Sequence, residues 1–192
     1  IKCGLVASVL GDSGDFTYKK TRRAATELDY RVPYAQAQAG YPYKVIEFSP
    51  YGYDERQFCS PGFNLAVGSL TRSVFATFPE YHTSADNLDF IRQSSLQQSL
   101  EVYARIVGLL ETSQYYHSLS PQCEPQLGKR GLYDAIGGKR SDVDATMAML
   151  WVLNSADSQQ SLYTIAQKSG IDVEVLEGVA ETLDSHRLIK RI

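Results

Sequence analysis

At 192 residues the chain is long enough for one large domain or two smaller ones, each with a buried core. Its 43% hydrophobic and 21% charged content belongs to a folded globular protein, and a net charge of −3 gives no electrostatic reason to expect nucleic acid or anionic lipid as the main partner. No apolar run approaches the roughly 20 residues that span a bilayer, so a soluble chain with no membrane partner is expected.

The opening IKCGLVASVLG is apolar but has no basic leader and no small-residue cleavage site. It reads as a buried strand over residues 2–10 rather than a signal peptide, and it begins as though cut from a longer chain. GDSGD closes that strand as a turn; it lacks the spacing of a phosphate-binding loop. The basic run YKKTRR (Lys19, Lys20, Arg22, Arg23) is expected as the solvated start of a helix over about residues 22–39. Two more strands follow, 43–49, cut off by Pro50, and 62–73, where Gly68 marks a bulge or a close approach. Strands alternating with helices predict an α/β sandwich.

From Ala85 to about Gln114, apolar residues recur at helical spacing: Leu88, Ile91, Leu100, Tyr103, Ile106, Val107 and Leu110. Thr83 or Ser84 is the expected cap of this long helix, with Asp86 at its positive end. Residues 119–140 show no sustained period and read as a linker, although Leu127, Leu132, Tyr133 and Ile136 are too apolar for a free tether. Three helical patterns then appear, at 142–154, 159–168 and 172–185. KSGID turns between the last two, and RLIKRI offers a strand. This is the pattern of a winged helix. The expected division is therefore an α/β domain over 1–118, a linker over 119–140 and an all-α-rich winged-helix-like domain over 141–192.

Cys3, Cys59 and Cys123 are odd in number and widely spaced, which points to a reducing, cytoplasmic setting without disulfides. The chemistry concentrates elsewhere. His82, in PEYHTSADN, and Asp54 and Glu55, in YDERQF, fall on loops beside one sheet edge, where sites form in open α/β sheets. A neutral imidazole with carboxylates suits zinc. His82 as a packing residue or a general base, and Asp54 and Glu55 as an exposed turn pair, are the competing readings. In residues 141–192 eight acids (Asp142, Asp144, Asp157, Asp172, Glu174, Glu177, Glu181, Asp184) face four bases (Lys168, Arg187, Lys190, Arg191). The would-be recognition helix alone carries Asp172, Glu174, Glu177, Glu181 and Asp184, and an acidic helix would be repelled from a major groove. The expectation is a protein-contact module, with homo-oligomerisation through the C-terminal domain, rather than a nucleic-acid binder.

SPYGYDERQFCSPGFNLAVGS followed by YHTSADNLD resembles the final third of zinc aminopeptidases and their glutaminyl-cyclase relatives. With LGKRGLY, these segments are most similar to bacterial aminopeptidase-like proteins linked with polysaccharide biosynthesis, which end in a winged helix. The resemblance covers nearly the whole chain. It implies a partial three-layer sandwich of zinc-peptidase type and hydrolysis of a peptide or amide bond, on a peptide or aminoacyl-type small substrate. His82 would be a zinc ligand, and Asp54, with Glu55 beside it, would support catalysis. Where those families carry a ligating Asp on the first strand, this chain has Ser8 and Val9, which leaves Asp12 as a substitute ligand. The remaining ligands of the family lie N-terminal to this region. The resemblance thus implies a C-terminal portion that is inactive alone. The alternative is a non-catalytic binding or scaffold protein that kept the fold.

Overall fold

Alternation of side chains decides the first sheet. In the computed structural model, which describes residues 2–132 and 141–192, Phe16 and Tyr18 point to one face and Thr17 and Lys19 to the other, and all four are buried. They form strand β2 (Phe16–Lys19), which lies beside β4 (Val67–Thr71) and β3 (Tyr43–Ile46) in a four-stranded sheet with β1 (Gly4–Ala7). The order is β1-β4-β2-β3. The β1–β4 and β2–β3 pairs are parallel, and β4–β2 is antiparallel with Tyr18 opposite Leu70.

This overturns one expectation. The run expected as a solvated helix start contains the last residue of a central strand, Lys19, only 4% exposed. The helix begins later, as α1 (Glu27–Ala39), capped by a box in which the Asp29 carboxylate accepts from Thr26 N and Oγ1 at 2.9 and 2.6 Å. Asp29 also accepts from Tyr18 Oη at 2.8 Å, which ties helix to sheet. Gly68 is a close approach, as expected: a Cβ there would lie 2.7 Å from Tyr18 Cε2.

The two faces of the sheet differ. Phe16, Tyr18 and Leu70 pack under Leu28, Val32 and Ala35 of α1 and under Val102 and Ile106 of α3 (Gln93–Glu111). The opposite face is polar. It carries Thr17, Lys19, Ser69 and Thr71, all buried, under the loop that holds the four-residue helix α2 (Glu55–Phe58). Helix α3 starts eight residues after Ala85, and neither Thr83 nor Ser84 caps it. Residues 79–92 are instead a chain of turns, in which Leu88 is 87% exposed.

The chain divides into the units Ile1–Glu111 and Thr112–Ile192. The second unit opens with β5 (Tyr115–Ser118), which sequence had placed in the first domain. It continues with α4 (Ser141–Ser155), β6 (Asp157–Ser161), α5 (Leu162–Ser169), α6 (Val173–Ser185) and β7 (Ile189–Arg191). Its sheet is antiparallel in the order β6-β5-β7. Ser161 caps α5 by accepting from Thr164 N, and Gly170, at φ +72, makes the left-handed turn into α6. Leu127 and Leu132 of the expected linker are buried in this unit's core with Val152, Leu176, Leu183 and Ile189. Tyr133 and Ile136 lie outside the described residues.

Candidate functional site

The polar face of the first sheet leads to a rim of loops. At the end of β1 the chain passes through Ser8 and then Val9, whose φ of +49 is a left-handed conformation that a β-branched residue adopts only when its surroundings force it. Val9 O accepts from Arg72 N at 2.9 Å, so the exits of β1 and β4 are laced together. Arg72, just past the end of β4, is buried. Its guanidinium donates to Gly14 O and Gln98 Oε1, both at 3.0 Å, and stacks 4.4 Å from the Phe16 ring centroid.

Asp12 lies in this rim but faces inward. It is 3% exposed, and its Oδ1 accepts from Ser73 Oγ at 2.5 Å and from Gly14 N at 2.7 Å. These bonds brace the loop over 11–15 and occupy Oδ1, while Oδ2 accepts from Ser73 N at 3.4 Å. Glu55 is equally committed. It is wholly buried and accepts from Lys19 Nζ at 2.6 Å and from Tyr53 N, while Lys19 also donates to Tyr51 O at 2.8 Å. A buried carboxylate held by a buried ammonium fixes the loop against the sheet. It has no access to a substrate proton.

Asp54 and His82 differ from these two. Asp54 stands exposed at the N-terminus of α2, and its carboxylate does not cap that helix. His82 is exposed at φ +58, and its ring stacks on Tyr81 with centroids 4.0 Å apart and planes 15° apart. The stack holds the imidazole flat against an aromatic face with its nitrogens at the edge. Among the described residues no group of three or more His, Cys, Asp or Glu is arranged to hold a metal ion. Of the residues expected at the site, Asp54 and His82 are exposed, whereas Asp12 and Glu55 are buried and hydrogen-bonded within the loops and sheet.

Two groups of aromatic rings line these loops. Tyr53 meets Phe75 edge-on at 5.8 Å, and Tyr51 does so at 5.0 Å. Phe78 packs against Tyr81 at 5.5 Å and stacks on Phe90 at 5.6 Å. The Tyr53 hydroxyl lies beside Ser8 and Tyr81, so the Asp54 loop, the His82 loop and the end of β1 converge on it. Burial pushes that hydroxyl up to about 12. Tyr53 was missed from sequence. The aromatic pair Tyr51 and Tyr53, two residues apart just ahead of Asp54, was the signal that could have found it.

In the second unit, Glu174, Glu181 and Asp184 of α6 are exposed, and half-buried Glu177 accepts from Gln114 Nε2 at 3.2 Å. The helix that would enter a groove thus presents acids to solvent. No helix among the described residues is long and apolar enough to cross a membrane.

Comparison with known proteins fits this anatomy. Residues 1–113 match a family described as a domain of unknown function, DUF4910, and residues 114–191 match a winged helix-turn-helix. The chain is 44% identical over 192 residues to a Clostridium acetobutylicum protein provisionally named a polysaccharide biosynthesis protein with an aminopeptidase-like domain; the match covers all of this chain and 44% of that protein. A C. acetobutylicum crystal structure, provisionally named a peptidase, superposes with a TM-score of 0.68 at 42% identity, over all of this chain and 42% of the other. The chain spans less than half the length of either relative.

Proposed function

We propose, from the premise that this chain belongs to the DUF4910 family and carries a winged helix-turn-helix over residues 114–191, that it forms part of an aminopeptidase-like zinc hydrolase. The bond cleaved is a peptide or amide, in a peptide or aminoacyl-type small substrate. His82 supplies one zinc ligand, and Asp54 is the carboxylate that supports it from the adjoining loop. The observation that carries the reading is the presentation of His82. Its imidazole is exposed and held flat against the Tyr81 ring on a left-handed turn of the backbone, so its ring nitrogens are open to a ligand. The names of the two relatives support the same class of chemistry.

The described residues do not complete a zinc site, since Asp12 and Glu55 are spent on loop structure. The whole protein is expected to add ligands from outside these residues, and the 192-residue chain alone is expected to be inactive. Three free thiols fit a cytoplasmic setting. The winged helix, with its acidic α6, serves protein contact or self-association.

The spent carboxylates also favour a second reading, a non-catalytic binding protein on an aminopeptidase fold. Hydrolysis of aminoacyl amides and short peptides by the full-length protein separates the two. An enzyme loses turnover by a factor of about 100 or more in His82→Ala and by less in Asp54→Asn. A full-length protein that binds such compounds without turning them over establishes the scaffold.

A further inference from the structure

Helix α3 is turned the wrong way for a surface helix. It buries Ser95 and Ser99 beside Val102 and Ile106, yet Leu96, Leu100 and Val107 are 47%, 71% and 54% exposed. These three and exposed Ala104 follow at intervals of four and three, so they form one aliphatic stripe along the outward face. Nineteen residues carry only three charges, Glu101, Arg105 and Glu111. A helix meant for water would place charges where the leucines stand. The small buried residues have their own reason: Ser99 Oγ donates to Leu10 O at 2.8 Å, and Ser95 O accepts from Arg72. The inner face is therefore settled, and the outer one is built to be covered.

We propose that a further layer of the same polypeptide, from the part of the whole protein beyond these 192 residues, packs on this outward face of α3. More than half of the Clostridium relative lies outside the match, so a protein of that relative's length has chain enough to cover this face. The near absence of charge along the helix suits a permanent intramolecular interface, which is poorer in charge than a transient one. At its N-terminal end the stripe reaches the rim of loops. Leu96 Cδ2 and Ile91 Cγ2 lie only 3.4 and 2.8 Å from where a Gly11 Cβ would stand. The covering layer therefore abuts the loop that follows β1. The inference does not rest on zinc or on hydrolysis.

Leu100→Cys tests it with little risk to folding. Its alkylation by a thiol reagent is followed at position 100 by mass spectrometry, in the 192-residue chain and in the full-length protein. The short chain is expected to label at the rate of an open thiol, and the full-length protein at least about tenfold slower at every protein concentration. Equal rates in the two would overturn the proposal. So would protection that disappears on dilution to a monomer, because that result assigns the face to a second copy.

Discussion

Lys19 and Glu55 show how a single residue's role depends on a distant partner. Thirty-six positions separate them in sequence, yet both are buried and 2.6 Å apart. Removing one charge strands the other in a medium that cannot solvate it. Lys19→Met is expected to cost about 3–5 kcal/mol, and Lys19→Met with Glu55→Gln to recover most of that loss. Urea unfolding followed by circular dichroism measures both; a single variant as stable as the double would refute the pairing. Tyr53 offers a second reading at this scale. Its hydroxyl should titrate near 12, whereas a free tyrosine titrates near 10. Because the folded value lies above the unfolded one, the neutral form's contribution holds below about pH 10 and is lost as pH rises toward 12. Ring-carbon NMR of labelled tyrosine, assigned with Tyr53→Phe, reports it directly, and a midpoint near 10 would place the ring in solvent.

At the scale of elements, local signals and long-range ones part company. Gly68 was legible, since a glycine inside an apolar strand implies a near neighbour, here Tyr18. Gly68→Ala is accordingly expected to lose about 1–3 kcal/mol in thermal unfolding. Ser161→Ala should cost the second unit about 1 kcal/mol through its lost cap on Thr164 N. A Tm unchanged in either would show that the neighbour gives way or that water replaces the cap. Strand β2 was hidden because its last residue opens a basic run, and its burial depends on distant partners, Glu55 and Tyr51 O. The start of α3 was misplaced for a different reason. Thr83 Oγ1 donates to Glu80 O and accepts from Ala85 N, and Asn87 Oδ1 accepts from Asp89 N. These residues look like helix caps, but their side chains close separate turns instead. At the site, His82 and Asp54 stood out by type and surroundings. The commitments of Asp12 and Glu55 did not, because Ser73 and Lys19, which hold them, are far away in sequence.

The whole molecule joins two units of different character. Acids exposed on α6 disfavour duplex binding, which draws on Lys and Arg against phosphates. Fluorescence anisotropy with the 192-residue chain and random duplex is expected to give no salt-dependent association, whereas a slope of log affinity on log salt would reverse the assignment. Under the proposed function, the exposed His82 and Asp54 of the first unit form one side of a larger zinc centre. Metal content of the purified full-length protein, with and without His82→Ala, tests that claim most directly. Zinc retained by the wild type and lost on dialysis from the variant is the expected result; a variant that keeps zinc as tightly as the wild type would contradict it.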